Sequence, residues 1–305
     1  MITHKYRTID VPVSGGPLRV GIWDPIQVAE GAEVPSALLV HGITSSHQAW
    51  PLVVAQLPGT RIIAPDLRGR GASRDMSGPA GMRAHAMDLV AVLDALAVPA
   101  LPVVGHSMGG FVSVVLAHLA AERVTRLELL DGGLPLDVPR GLTAEQVVAA
   151  VLGSTAERLA MRFENVAQYL DFWRVHPAFT EPMTPEVEAC FAYDLVPEGA
   201  LLRPSTSLQT TTEDTGDLNA PGPDSAIAAA LGALAASELP VRFLTVPRGL
   251  RGEAPGLYAP EHLERILPGF PRIEHVRLQG LNHYTLVMGE PGAAALGELL
   301  RPVLG

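Results

Sequence analysis

Short apolar runs alternate with amphipathic stretches through the first third of the chain. "TIDVPV" and "LRVGIW" are typical of strands, and the turn "SGGP" between them predicts an antiparallel pair. "SALLVHG", "RIIAPD", "ALPVVGH" and "VTRLELLD" are the continuous apolar runs expected of strands buried on both faces. Helical spacing of apolar positions predicts helices from about Gly81 to Val98 and from Ser107 to Ala121. These strand–helix–strand units predict an α/β fold with a mostly parallel central sheet flanked by helices.

The pattern changes after Gly133 and resumes near residue 237. Residues 134–236 contain helical stretches and no convincing strand. The predicted helices are Thr143–Met161, Val166–Arg174, Thr184–Asp194 and Asp224–Glu238. The polar stretch "STSLQTTTEDTGDLNAPGP" is predicted to be a loop. Strands "VRFLTV" and "IEHVRL" then follow, so we predict a core of residues 1–133 and 237–305 with a helical insertion, 134–236.

Composition and charge narrow the class of protein. The 305 residues are 48% hydrophobic and 18% charged, which predicts a globular protein. A net charge of −10, without clusters of Lys or Arg, argues against nucleic acid or an anionic membrane as a partner. The charge-free stretch Ala95–Ala121 is broken by prolines and glycines, so we do not expect it to span a membrane. The single cysteine, Cys190, and an N-terminus without a signal-length apolar core favour a cytoplasmic protein.

The stretch "LPVVGHSMGGF" carries the first candidate chemistry. It places Ser107 in a G-x-S-x-G pattern between a predicted strand and a predicted helix. A tight strand-to-helix turn crowds its neighbouring backbone, and Gly105 and Gly109 relieve that crowding because they have no Cβ. The hydroxyl would then project at a helix N-terminus, where developing negative charge is stabilised. We therefore predict that Ser107 is a nucleophile; the alternative is a packing turn with an incidental serine.

In this context the chain resembles the α/β-hydrolase superfamily over essentially its whole length. "LLVHGIT" resembles the His-Gly loop of that family, which implies an oxyanion hole made by the amides of Ile43 and Met108. "APDLRGRGAS" resembles the family's turn after the following strand, which implies that Asp66, Arg68 and Gly71 are mostly architectural. "LNHYTLVMG" resembles the histidine loop, which implies that His283 is the general base. The insertion 134–236 corresponds to the family's cap, which roofs the serine.

The acid that would orient His283 is left open by the sequence. Most relatives carry it after the strand that follows the insertion, where Glu253 in "VRFLTVPRGLRGEAPG" is the only nearby carboxylate. Some relatives take it from the end of the preceding strand, where "LELLDGG" supplies Asp131, our first choice; a turn-forming role is the alternative. Asp214 and Asp217 in the polar stretch are further candidates. His41 and His106 are expected to pack or orient loops.

Almost half of the aromatic residues lie in the insertion, which favours an apolar or aromatic substrate. We expect Trp50, Trp173 and Tyr284 to line the pocket. Nucleotide-binding and metal-site motifs are missing, so no cofactor or metal is expected, and a small molecule is the expected partner. The resemblance implies a serine hydrolase of an ester or lactone. Alternatives are a carbon–carbon bond hydrolase, thioesterase, hydroxynitrile lyase, cyclase or non-catalytic receptor. No oligomeric state is predicted.

Overall fold

The computed structural model describes residues 2–29, 31–137, 146, 154–219 and 225–304. Ten strands are found in these ranges. They are β1 His4–Val13, β2 Gly16–Pro25, β3 Ser36–Val40, β4 Arg61–Pro65, β5 Leu101–His106, β6 Val124–Leu130, β7 Leu195–Glu198, β8 Leu201–Pro204, β9 Val241–Thr245 and β10 Glu274–Arg277.

Eight of these strands form one central sheet in the order β1-β2-β4-β3-β5-β6-β9-β10. The β1–β2 and β2–β4 pairs are antiparallel, and the other five pairs are parallel. The predicted antiparallel pair and the mostly parallel sheet are confirmed. The central parallel strands are apolar because both of their faces are covered: Leu38 and Leu39 of β3 point to opposite sides of the sheet and are both fully buried.

Helices flank both faces of the sheet and cover two hydrophobic cores, one on each side. The helices are α1 Pro51–Ala55, α2 Met82–Ala95, α3 Met108–Leu119, α4 Ser154–Ala160, α5 Val166–Arg174, α6 Pro185–Tyr193, α7 Leu208–Leu218, α8 Ala226–Ala236, α9 Pro260–Ile266, α10 Thr285–Met288 and α11 Glu290–Leu304. Several begin at a side-chain cap that accepts a hydrogen bond from the first turn. The caps of α5, α6, α7 and α8 are Asn165, Thr184, Ser207 and Ser225.

The insertion 134–236 differs from its prediction in two places. An antiparallel hairpin, β7–β8, follows α6, where no strand was expected. The polar stretch predicted to be a loop contains α7, so that prediction is wrong. Its threonines favour strands or turns locally, but Thr211, Asp214 and Thr215 share one helix face that is buried against the core. Tertiary packing therefore outweighs the local preference. The predicted helix Thr143–Met161 lies partly outside the described residues, and α4 falls within the described part of that range.

Across the described ranges, none of the helices combines the length and the apolar character needed to cross a membrane. The charge-free stretch Ala95–Ala121, considered above as a possible membrane span, contains the short strand β5 and the helix α3.

Candidate active site

The carboxyl ends of β5 and β6 bring two candidate residues to the same edge of the sheet. The strands are adjacent and parallel, with His106 paired to Leu130. Ser107 follows β5 and its amide donates to the Leu130 carbonyl at 2.9 Å, while Asp131 follows β6 and its amide donates to Leu244 of β9 at 2.7 Å. Side chains at this edge of an open α/β sheet surround the usual ligand site of such folds.

Ser107 has a strained backbone at the turn between β5 and α3, with φ +56° and ψ −125°. The turn is too crowded for side chains on either flank. A Cβ at Gly105 would lie 2.4 Å from the Gly109 carbonyl oxygen, and a Cβ at Gly109 would lie 2.1 Å from that of Val40. The Ser107 hydroxyl makes no capping hydrogen bond to α3, although the residue occupies the N-cap position. The side chain instead lines a cavity above the sheet edge.

His283 and Asp131 form a buried pair beside this cavity. The His283 Nδ1–H donates to Asp131 Oδ2 at 2.7 Å, and the two side chains are 4% and 0% exposed. The other Asp131 oxygen accepts the Val246 amide at 3.4 Å. With Nδ1 engaged, Nε2 is the ring nitrogen available to a partner, and both His283 and Ser107 line the cavity. This is the arrangement in which a carboxylate fixes the tautomer of a general base.

The other candidate acids make different contacts. Glu253 is exposed and accepts the Arg251 amide at 2.7 Å within its own turn. Asp214 and Asp217 accept the amides of Gly81 and Met82 at the start of α2. Among the candidates, Asp131 is therefore the acid that contacts His283.

Two residues hold the histidine loop, and the first of them, Asn282, had no role assigned from the sequence. Asn282 Oδ1 accepts the amides of Tyr284 and Thr285 at 3.0 and 2.9 Å, and its Nδ2 donates to the Ala178 carbonyl in the insertion. An Asn directly before a candidate His is a turn-forming signal that could have indicated this role. His106 donates from Nε2 to the His283 carbonyl at 3.0 Å, which agrees with its expected loop-orienting role.

The two residues expected to supply the oxyanion hole, Ile43 and Met108, both line the cavity. Met108 is the first residue of α3, where backbone amides have no partner within the helix. Ile43 follows Gly42, where an added Cβ would lie 3.1 Å from the Ser107 Cβ. His41 shapes this loop by donating from Nδ1 to the Gly42 carbonyl at 2.7 Å.

The cavity has a volume of about 1130 Å³, including its opening to solvent. One wall is aromatic: Trp173 and Phe191 from the insertion stack with ring centroids 3.9 Å apart, and Tyr284 meets Trp173 edge-on at 5.7 Å. Trp173 and Tyr284 line the cavity as expected. Trp50 does not: it is fully buried in the hydrophobic core, so the pocket role expected for it is incorrect.

Within the described part of the chain, no group of three or more His, Cys, Asp or Glu side chains is arranged to hold a metal ion.

Comparison with known proteins agrees with this architecture. A family model for the alpha/beta hydrolase fold matches residues 35–183. Lipase LipV of Mycobacterium tuberculosis is 38% identical over 117 residues, which are 38% of this chain and 43% of the lipase. The 2-hydroxymuconate semialdehyde hydrolase of Pseudomonas sp. strain CF600 is 36% identical over 120 residues, 37% of this chain and 42% of that protein. The aligned part is thus less than half the length of these relatives.

Solved structures resemble the chain over nearly its whole length. E-2-(acetamidomethylene)succinate hydrolase superposes with a TM-score of 0.75 at 18% identity, covering 97% of this chain and 99% of that one. The thioesterase domain from the curacin biosynthetic pathway superposes with a TM-score of 0.72 at 21% identity, covering 97% of this chain and 99% of that domain. These identities show the fold alone. Residues 35–183 match the family model, and the chain as a whole has the α/β-hydrolase fold.

Proposed function

We propose that the chain is a serine hydrolase that cleaves a carboxylic ester or lactone with an apolar or aromatic part. The observation that carries the proposal is the buried contact between His283 and Asp131, at 2.7 Å, beside the strained Ser107. Neither feature is needed to stabilise a simple packing turn. A hydroxyl, an imidazole and a carboxylate on three adjoining loops of one cavity are the parts that acyl transfer requires.

In the proposed reaction, the Ser107 hydroxyl attacks the substrate carbonyl and His283 Nε2 accepts its proton. Asp131 stabilises the imidazolium, and the amides of Ile43 and Met108 donate to the oxygen that becomes negative. When the tetrahedral intermediate collapses, the bond to the leaving oxygen breaks and His283 returns its proton to that oxygen. A water molecule then attacks the acyl-enzyme with His283 as base, releasing the acid and restoring the Ser107 hydroxyl.

The insertion 134–236 serves as the cap in this proposal. Its residues in the cavity lining include Trp173, Cys190, Phe191, Thr215, Leu218 and Asn219. Apolar groups outnumber polar ones in these walls, which supports an apolar or aromatic substrate. The relative named as a lipase supports an ester as the group cleaved.

The proposal is tested by intact-mass measurement after exposure to a fluorophosphonate, which reacts with activated serines. We expect a single adduct on the wild-type protein and on Ser77→Ala, an exposed serine in a surface turn. We expect none on Ser107→Ala. No adduct on folded wild-type protein would refute the serine-hydrolase proposal, and an adduct that persists in Ser107→Ala would assign the nucleophile elsewhere. A positive result is followed by steady-state assays on aryl esters and lactones.

A further inference from the structure

Asp194 is a carboxylate in the cavity wall that the proposed reaction does not use. It follows the last residue of α6 and lines the cavity near Trp173 and Phe191. A carboxylate in a mostly apolar wall is costly unless it is paired, so its partners and its orientation require an explanation.

Three side chains and one backbone amide from the insertion hold the Asp194 carboxylate in place. Arg158 Nη1 donates to Oδ2 at 2.7 Å, and the Tyr169 hydroxyl donates to the same oxygen at 2.6 Å. The Ser205 hydroxyl and the Ser205 backbone amide both donate to Oδ1, at 2.9 and 3.2 Å. With both oxygens bound, the carboxylate has a fixed position in the wall.

The ion pair is oriented with its negative end toward the cavity. The Asp194 side chain is 14% exposed, whereas the Arg158 side chain is 1% exposed and is not one of the residues that line the cavity. The guanidinium packs over two aromatic rings, 5.1 Å from the centroid of Trp173 and 5.9 Å from that of Tyr169. A ligand in the cavity therefore meets the Asp194 carboxylate, whereas the Arg158 guanidinium is buried and does not line the cavity.

The described residues of the cavity wall offer an anion no compensating cation. They include neither Lys nor Arg. Their carboxylates are Asp194 and Asp131, and the latter is engaged by His283. A negatively charged group that left water for this cavity would lose its hydration and be repelled by Asp194.

We propose that the cavity selects substrates without negative charge, and that Asp194 is the residue that determines this selectivity. The proposal rests on the proposed hydrolase function for its kinetic test, but it concerns binding and can be measured separately. It assigns the substrate to neutral esters and excludes esters whose acyl or alcohol part carries a carboxylate.

The kinetic test compares 4-acetoxybenzoate, which is anionic, with its neutral methyl ester, each rate being normalised to hydroxide-catalysed hydrolysis. We expect kcat/KM to be at least about tenfold higher for the methyl ester, the effect of one opposed charge in a partly hydrated site. In Asp194→Asn this ratio should fall by about tenfold. In Asp171→Asn the ratio should not change, because that variant removes the same charge from an exposed position.

Two outcomes would overturn the proposal. One is equal wild-type activity on the two esters. The other is a ratio that stays the same in Asp194→Asn while both rates fall, because a purely structural role would act on both substrates alike.

Calorimetric titration with methyl 4-hydroxybenzoate and 4-hydroxybenzoate tests the selectivity without turnover. Weaker binding of the neutral methyl ester than of the anion would contradict the proposal. Absence of both turnover and fluorophosphonate labelling, with neutral ligands still preferred, would refute the hydrolase proposal alone.

Discussion

Asp214 connects α7 of the insertion to the core through a fully buried cluster of charges. Its Oδ1 accepts the Gly81 amide at 2.7 Å and lies 2.9 Å from His85 Nε2, while Arg70 Nη1 lies 2.5 Å from Oδ2. Asp214, Arg70 and His85 have no exposed side-chain area. Burial alone would raise the pKa of Asp214, but Arg70 and His85 outweigh it and hold the pKa below the ordinary value of 3.8.

The substitution Asp214→Asn removes the charge and places an amide beside the Arg70 guanidinium. Loss of one partner from a buried ion pair costs about 3–5 kcal/mol, because the other charge is left uncompensated. Since the folded-state pKa lies below the unfolded one, the carboxylate's contribution is fully present above pH 3.8 and is lost as the pH falls through the folded-state value. We therefore expect the difference in free energy of unfolding between wild type and Asp214→Asn to be constant from pH 8 to about pH 5. Below about pH 5 that difference should shrink.

Urea denaturation followed by circular dichroism measures the free energy of unfolding and its dependence on pH, provided that the variant does not change the slope of the transition. Asp171→Asn is the matched control, since its carboxylate pairs with Arg174 on the surface and should cost less than about 1 kcal/mol. If Asp214→Asn lowered the free energy of unfolding by less than about 1 kcal/mol at pH 7, the buried cluster would contribute no more than a surface ion pair. That result would contradict the stabilising role assigned to Asp214.

Two further predictions concern the loops around Ser107. Gly109→Ala should destabilise the fold by several kcal/mol in urea, on the order of other severe backbone clashes, because its Cβ would lie 2.1 Å from the Val40 carbonyl oxygen. Gly232→Ala, on an open helix position, should be neutral or stabilising, and equal midpoints for the two variants would contradict this. Burial lowers the pKa of His41 to about 4, so wild-type stability should fall between pH 6.5 and 4 more steeply than that of His41→Gln; parallel curves would contradict it.

Much of the core could be predicted from sequence because its patterns are local. Continuous apolar runs indicated the parallel strands, and the glycines around Ser107 indicated a tight turn whose crowding the structure explains. The helix α7 could not be predicted in this way, because the threonines of "LQTTTEDTG" have poor helix propensity. The buried contacts of Asp214 with distant residues of the core stabilise it, and a sequence window does not contain those residues.

The candidate site shows the same limit. Sequence placed Ser107 and His283 in their loops but left Asp131 and Glu253 as alternatives, because the adjacency of β5, β6 and β9 decides which carboxylate contacts the histidine. The orientation of Asp194 was also beyond reach, since Arg158 is 36 residues away in the chain. Trp50 was misassigned because an aromatic residue near a candidate loop can pack into the core as readily as line a pocket.

The central claim is that Ser107, His283 and Asp131 act as one unit. The most direct measurement is the second-order rate of fluorophosphonate labelling in Asp131→Asn and in Glu253→Gln. Removing the orienting carboxylate from such a unit should slow labelling by about 10³-fold or more, on the scale of a lost tautomer-fixing contact. Glu253→Gln should label at the wild-type rate. Labelling of Asp131→Asn at the wild-type rate, or equal losses in the two variants, would contradict the account.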